Sequence, residues 1–231
     1  ADVPIIALQA RGYIGEAVLP STLNQMAADY VASINKVAST GPVRLLGWSF
    51  GGLVAFEMAR LLEESGRDVE FLMLLDSYPM HEGDPLPDLS DSGARGAFLE
   101  MIGFDPQGRV PEDITFEDVR RFLEDSAHPL ADLSPVDFNN MLRIARNNAL
   151  LAHGYRPKTL NCPLVHYASN DTKRMLGVEA DPWENRTSGQ FEAHALDCTH
   201  HEMTSQRALC EIGKRLTALM NLGDQPFRQA V

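Results

Sequence analysis

Apolar positions along the first third of the chain switch between two spacings. Leu23, Met26, Ala27, Tyr30, Val31, Ile34 and Val37 recur every three or four residues, which predicts an amphipathic helix capped by Ser21 and ended by Gly41-Pro42. Residues 43–46 then form a short β-type run, and Leu53, Phe56, Met58, Ala59 and Leu62 return to helical spacing as far as Gly66. Residues 69–75 are almost continuously apolar, the pattern of a strand covered on both faces. An earlier β-rich run, residues 4–9, closes at Arg11-Gly12. Strands alternating with helices over short connections predict parallel βαβ units and a three-layer α/β domain.

The pattern changes after Asp76. A Pro- and Asp-rich loop over residues 80–91 leads into helices with no strands between them. Thr115 with Asp118 forms a capping-box pattern ahead of Phe122 and Leu123, and Ser134-Pro135 opens a longer helix running to Gly154. Strand character returns at residues 163–168. A polar loop through Trp183 follows, then a short run at residues 191–196 and a last helix over residues 205–221. The chain is therefore expected to be one domain over residues 1–231. Its core comprises residues 1–76 and 159–222, residues 77–158 are a helical lid insertion, and residues 223–231 are a frayed tail.

A hydrophobic share of 44% suits a full-sized buried core. No apolar run approaches the roughly 20 residues that span a bilayer, and no signal segment opens the chain, so a cytoplasmic location away from membranes is expected. The net charge of −12 argues against nucleic acid as a partner. Residues 77–137 hold 14 Asp and Glu against 4 Arg and no Lys, so that segment carries most of the charge and would favour cationic substrates. Cys162, Cys198 and Cys210 are odd in number and lack metal-ligand spacing; they read as reduced structural thiols, and no metal is expected.

The stretch Gly47-Trp48-Ser49-Phe50-Gly51-Gly52 places G-x-S-x-G between the strand at 43–46 and the following helix. In that setting the pentapeptide is a nucleophile elbow. A strained turn lifts the Ser49 hydroxyl, flanking glycines admit close neighbours, and the Phe50 backbone N–H points at a developing oxyanion. A serine hydroxyl is a poor nucleophile at neutral pH and needs an imidazole base held by a carboxylate. Of seven histidines, His200 and His201 lie between the last short strand and the last helix, where this architecture delivers its base. His153 and His166 read as structural, and His81, His128 and His194 as loop or surface residues. Asp76 and Asp171 each follow a strand and are equally placed to orient the base. Cys198 is a weaker alternative nucleophile.

Residues 6–79 resemble the terminal thioesterase domains of nonribosomal peptide synthetases and polyketide synthases, type I thioesterases of the α/β-hydrolase superfamily. The resemblance rests on Leu8-Gln9-Ala10-Arg11-Gly12, on Arg44 through Ala59 around the elbow, and on Leu74-Leu75-Asp76-Ser77-Tyr78. It resumes at Asp197-Cys198-Thr199-His200-His201-Glu202-Met203, which looks like the family's histidine loop. The resemblance implies Ser49 as nucleophile, Asp76 as orienting acid and His200 as base. It implies a mostly parallel sheet flanked by helices, with no resident cofactor. The implied substrate is an acyl or peptidyl thioester presented on the phosphopantetheine of an upstream carrier domain, released by hydrolysis or macrocyclisation. A stand-alone type II editing thioesterase and a noncatalytic carrier-docking module are the alternatives. The family's opening strand and the loop that supplies its second oxyanion N–H have no counterpart here. Either the chain is a truncated or processed piece or another loop supplies that donor, and impaired activity of the chain on its own is expected.

Overall fold

The computed structural model describes residues 5–13, 15, 17–177 and 180–221. Among these residues four strands, β1 (Val43–Trp48), β2 (Val69–Leu75), β3 (Leu164–Ser169) and β4 (Phe191–Leu196), form a fully parallel sheet in the order β1-β2-β3-β4. Among the described residues seven α-helices accompany them: α1 (Leu23–Val37), α2 (Phe50–Glu64), α3 (Asp91–Met101), α4 (Phe116–Asp125), α5 (Pro135–Gly154), α6 (Asn170–Leu176) and α7 (Gln206–Asn221). None of the described helices is long and apolar enough to cross a membrane.

The chain divides into two compact units. One, Ala27–Pro79 with Arg156–Val231, holds the whole sheet. Alternation along β2 sends Phe71, Met73 and Leu75 to one face, where they pack with Val165, Tyr167, Met203 and the Ala208, Ile212 and Leu219 face of α7. On the other face Leu72, Leu74 and Leu164 are fully buried. Each such side chain contributes about 1.5–3 kcal/mol by leaving water. Helix α2 packs along β1 and β2 and buries Leu53, Phe56, Ala59 and Leu62. Trp183 packs against Phe56 with tilted rings, centroids 4.8 Å apart, and its indole N–H donates to the Ser77 carbonyl at 2.7 Å. Strand β1 stands at one edge of the sheet. Its burial therefore alternates instead of running continuously, and Leu46 is 48% exposed.

The other unit is Ala1–Met26 with Met80–Tyr155. Its apolar cluster joins Phe98, Leu99 and Ile102 to Ile114, Val119, Leu123, Leu133 and Phe138. Both halves of the capping box form at α4: the Thr115 hydroxyl accepts from the Asp118 N–H, and the Asp118 carboxylate accepts from the Thr115 N–H. Pro135 occupies the first turn of α5, capped by Ser134. Helix α5 also holds the irregular N-terminal segment, with Asn140, Arg143 and Asn147 donating to the carbonyls of Tyr13, Ala17 and Pro20 at 3.1, 3.1 and 3.2 Å.

Three expectations need correction. Of the run expected as a strand at residues 4–9, residues 5–9 form no strand and residue 4 lies outside the described residues; Ile5 is 90% exposed. All described strands belong to the other unit. Residues 1–26 accordingly group with 80–155 and not with the sheet. The polar stretch after β3 contains the short helix α6, capped by Ser169 and stopped by Gly177 in the left-handed region at φ 63°. At seven residues it is too short to show an apolar stripe. The tail expected to fray, residues 223–231, lies outside the described residues.

Candidate active site

Every group of the candidate site lies in the sheet-bearing unit, at the carboxyl ends of its strands. Ser49 joins β1 to α2 with φ 54° and ψ −129°, a conformation rare outside glycine that costs on the order of 1–3 kcal/mol. The turn is held by the Ser49 N–H donating to the Leu75 carbonyl and the Gly52 N–H donating to the Ser49 carbonyl, both at 2.9 Å. The Ser49 side chain makes no capping bond to α2, which leaves its hydroxyl uncommitted to the helix. Phe50 opens α2, so its N–H belongs to the first turn, where no intrahelical carbonyl is in reach.

The glycines around Ser49 are not equivalent. A Cβ on Gly47 would stand 2.3 Å from the Gly51 carbonyl oxygen and 2.6 Å from the Gly52 Cα. On Gly52 it would stand 2.4 Å from the Ser77 hydroxyl oxygen. On Gly51 it would meet nothing within 4 Å. The close approach of strand and helix thus rests on Gly47 and Gly52; the second glycine of the pentapeptide is not sterically required.

Asp76 follows β2 and also has a positive φ, 44°. Its N–H donates to the Tyr167 carbonyl at 2.6 Å, which fixes this bend against β3. The carboxylate is 3% exposed and accepts from His200 Nδ1 at 2.7 Å. Burial alone pushes its pKa up, and this is the largest single effect. Hydrogen bonds from His200, Thr172 and the Ser169 N–H and hydroxyl together outweigh it and hold the carboxyl below its ordinary value. Asp76 is therefore ionised at neutral pH despite its burial.

Of the two acids between which spacing alone could not choose, only Asp76 bonds to the histidine loop. Asp171 sits on α6 with its side chain 57% exposed and paired to Arg174 at 3.0 Å. Of the two histidines, it is His200 whose Nδ1 meets Asp76, which directs Nε2 away from the carboxylate. The His200 ring stacks on Trp48 at 5.1 Å and 25°, beside Ser49 in sequence, while the His201 ring stands edge-on at 5.8 Å.

Other candidates separate from this cluster. The Cys198 thiol donates to Met203 Sδ at 3.5 Å, and burial, then the charge of Asp76, pushes its pKa up, the opposite of an activated thiol. Burial and Glu63 push Cys162 up to about 12. His166 is fully buried with Nδ1 2.5 Å from Asp181, and His153 contacts the Asp84 carbonyl at 3.2 Å. His194 stacks on Tyr167, and the His128 ring accepts from the Leu130 N–H. Among the described residues no group of three or more His, Cys, Asp or Glu is arranged to hold a metal ion.

Sequence reasoning missed three contributors. Trp48 is a variable position of the pentapeptide, and Ser169 and Thr172 lie where the polar sequence predicts a loop. The signal for Ser169 is a Ser directly after a β-type run, a favoured helix N-cap; no spacing marks the Thr172 hydroxyl.

A parallel sheet carrying a serine at a strained strand-to-helix turn, with an Asp–His pair at the same strand ends, defines an α/β-hydrolase fold. Within that class the chain belongs to the thioesterase domain family, whose model matches residues 1–217, and it is a hydrolase acting on thioesters. It is 34% identical over 216 residues to the dimodular nonribosomal peptide synthase of Bacillus subtilis (strain 168), covering 93% of this chain and 9% of that protein. Malpibaldin synthetase of Mortierella alpina is 29% identical over 221 residues, covering 94% of this chain and 4% of the synthetase. The chain thus spans less than a tenth of the length of these relatives. A four-domain nonribosomal peptide synthetase bound to AMP and glycine superposes with a TM-score of 0.68 at 20% identity, over 92% of this chain and 17% of that one. The NocB thioesterase domain, in covalent complex with a fluorophosphonate nocardicin G analogue, gives 0.62 at 21% identity, over 91% and 80%. At these identities the two structures speak for the fold alone.

Proposed function

We propose that this chain is a releasing thioesterase of a nonribosomal peptide or hybrid polyketide assembly line, working through an acyl chain carried on Ser49. The observation that supports it most is the 2.7 Å bond from His200 Nδ1 to buried, ionised Asp76 at the strand ends that also carry Ser49. The likeness to nonribosomal peptide synthases directs the reading to a substrate held on the phosphopantetheine arm of a carrier domain.

In the first half-reaction His200 Nε2 takes the Ser49 hydroxyl proton as Oγ attacks the thioester carbonyl carbon. The Phe50 N–H stabilises the oxyanion. Collapse breaks the C–S bond, and the proton passes from His200 to the departing thiolate sulfur. In the second, water or a nucleophile within the acyl chain gives its proton to His200 and attacks the ester, and Ser49 leaves with that proton. Asp76 keeps Nδ1 protonated throughout. No resident cofactor or metal enters either step.

A fluorophosphonate probe tests the assignment. Peptide mapping should place the phosphonyl group on Ser49, and Ser49→Ala should abolish both labelling and thioester cleavage. Labelling on another residue, or carrier binding with no labelling at all, contradicts it.

A further inference from the structure

Asp76 is held by more than its histidine. Its Oδ1 accepts from the Ser169 N–H at 2.8 Å. Its Oδ2, the atom that meets His200, lies 2.6 Å from Thr172 Oγ1 and 2.9 Å from Ser169 Oγ. These two hydroxyls are 2.8 Å apart, and Ser169 Oγ also accepts from the Thr172 N–H at 3.0 Å. Each hydroxyl has one proton to give. The Thr172 oxygen is the closer to the carboxylate, and Ser169 Oγ, fully buried, can donate either to Asp76 or to Thr172.

The arrangement is set by backbone. Ser169 ends β3 and caps α6, and Thr172 is three residues on, so one short helical turn brings both hydroxyls to the tip of β2. The acid itself comes from β2, and β3 with α6 supplies its donors. Asp171, between them in sequence, points to solvent.

We infer that Thr172, with Ser169, is a positioning residue of the reaction: its hydroxyl fixes the Asp76 Oδ2 that orients His200, and so acts on turnover without touching substrate. This rests on the Ser49, Asp76 and His200 reading. The removed bond is one to a charged, buried acceptor, and such bonds are the stronger class. The β-branched Thr172 has few side-chain rotamers to lose, which suits a fixed donor. Other titratable groups around the pair are Tyr78 after β2, and Cys198 and His201 on the histidine loop. Burial and then Asp76's charge push the Tyr78 and Cys198 pKa values up, so both stay neutral through the neutral range.

Thr172→Val, Thr172→Ser and wild type should be compared on a soluble acyl thioester and by proton NMR of the His200 Nδ1–H that bonds to Asp76. The valine variant keeps the shape and removes the donor. Its kcat should fall about 10-fold or more with KM within about 2-fold, and the low-field Nδ1 proton should shift or broaden. The serine variant should recover most of both. Wild-type kcat and an unchanged Nδ1 resonance in Thr172→Val overturn the inference. Equal loss in the valine and serine variants does so too, since it would mark a packing role for the methyl. The resonance reports on Thr172 even if Ser49 labelling fails, so the inference and the reading beneath it fail separately.

Discussion

Ser49 and Asp76 are two of only four non-glycine residues with positive φ among the described residues, and both sit where a strand ends and the site begins. Backbone strain of this kind persists only where surrounding contacts over-determine it, here the bonds to Leu75 and Tyr167. The glycines follow the same logic. Gly47→Ala should cost at least about 2 kcal/mol, because the atoms it would strike are backbone and cannot swing aside. Gly51→Ala, in open space in the first turn of α2, should leave stability within about 1 kcal/mol of wild type. Urea midpoints of the two variants check this; similar losses for both would refute it. At Asp76, Asp76→Asn should lower kcat by about four orders of magnitude, the effect of losing the correct histidine tautomer, with the fold intact by circular dichroism. Because the folded-state pKa of Asp76 lies below its unfolded value, its contribution to stability is full above the unfolded value. That contribution is lost as pH falls through the folded one. Acid unfolding of Asp76→Asn should therefore lack that component.

The elements legible in the sequence were those with a strong period or a punctuated boundary. Helices α1, α2, α5 and α7 and strands β2 and β4 occur where spacing puts them, although α1 is capped by Thr22, whose hydroxyl accepts from the Gln25 N–H at 3.0 Å, and not by Ser21. The Thr115-x-x-Asp118 box is formed in full, and Thr115→Ala should destabilise by about 1 kcal/mol in thermal or urea unfolding; no change would mean the cap is redundant. What stayed hidden depended on partners distant in the chain. Residues 5–9, the described part of the run at 4–9, have β composition but form no strand, and α6 is recognisable only by its ends. Glu63, on α2, accepts from the Asn161 and Cys162 N–H groups nearly a hundred residues away, a link that spacing cannot show. The same holds at the site. The strand-to-helix turn at Ser49 was readable from its own neighbours. Spacing alone left Asp76 and Asp171 level and only the family resemblance favoured Asp76; the hydroxyls of Ser169 and Thr172 required knowing which strand tips lie side by side.

At the scale of the whole molecule, the net charge of −12 and the family membership bear on what the enzyme meets. A negative field raises the local concentration of cations, and salt screens it over about 10 Å at 0.1 M. The kcat/KM ratio of a cationic acyl thioester to a neutral one of equal length should fall as salt rises; a salt-independent ratio would show that the field plays no part in selection. Release from a carrier is the larger claim, and rapid-quench mass spectrometry tests it most directly. The chain is mixed with a carrier domain whose phosphopantetheine bears an acyl group, and peptides from both proteins are followed over a single turnover. The account predicts that acyl leaves the carrier as an equal amount appears transiently on the Ser49 peptide, and that Ser49→Ala stops both changes. Acyl loss from the carrier with none ever found on Ser49, or loss that persists in Ser49→Ala, would contradict it.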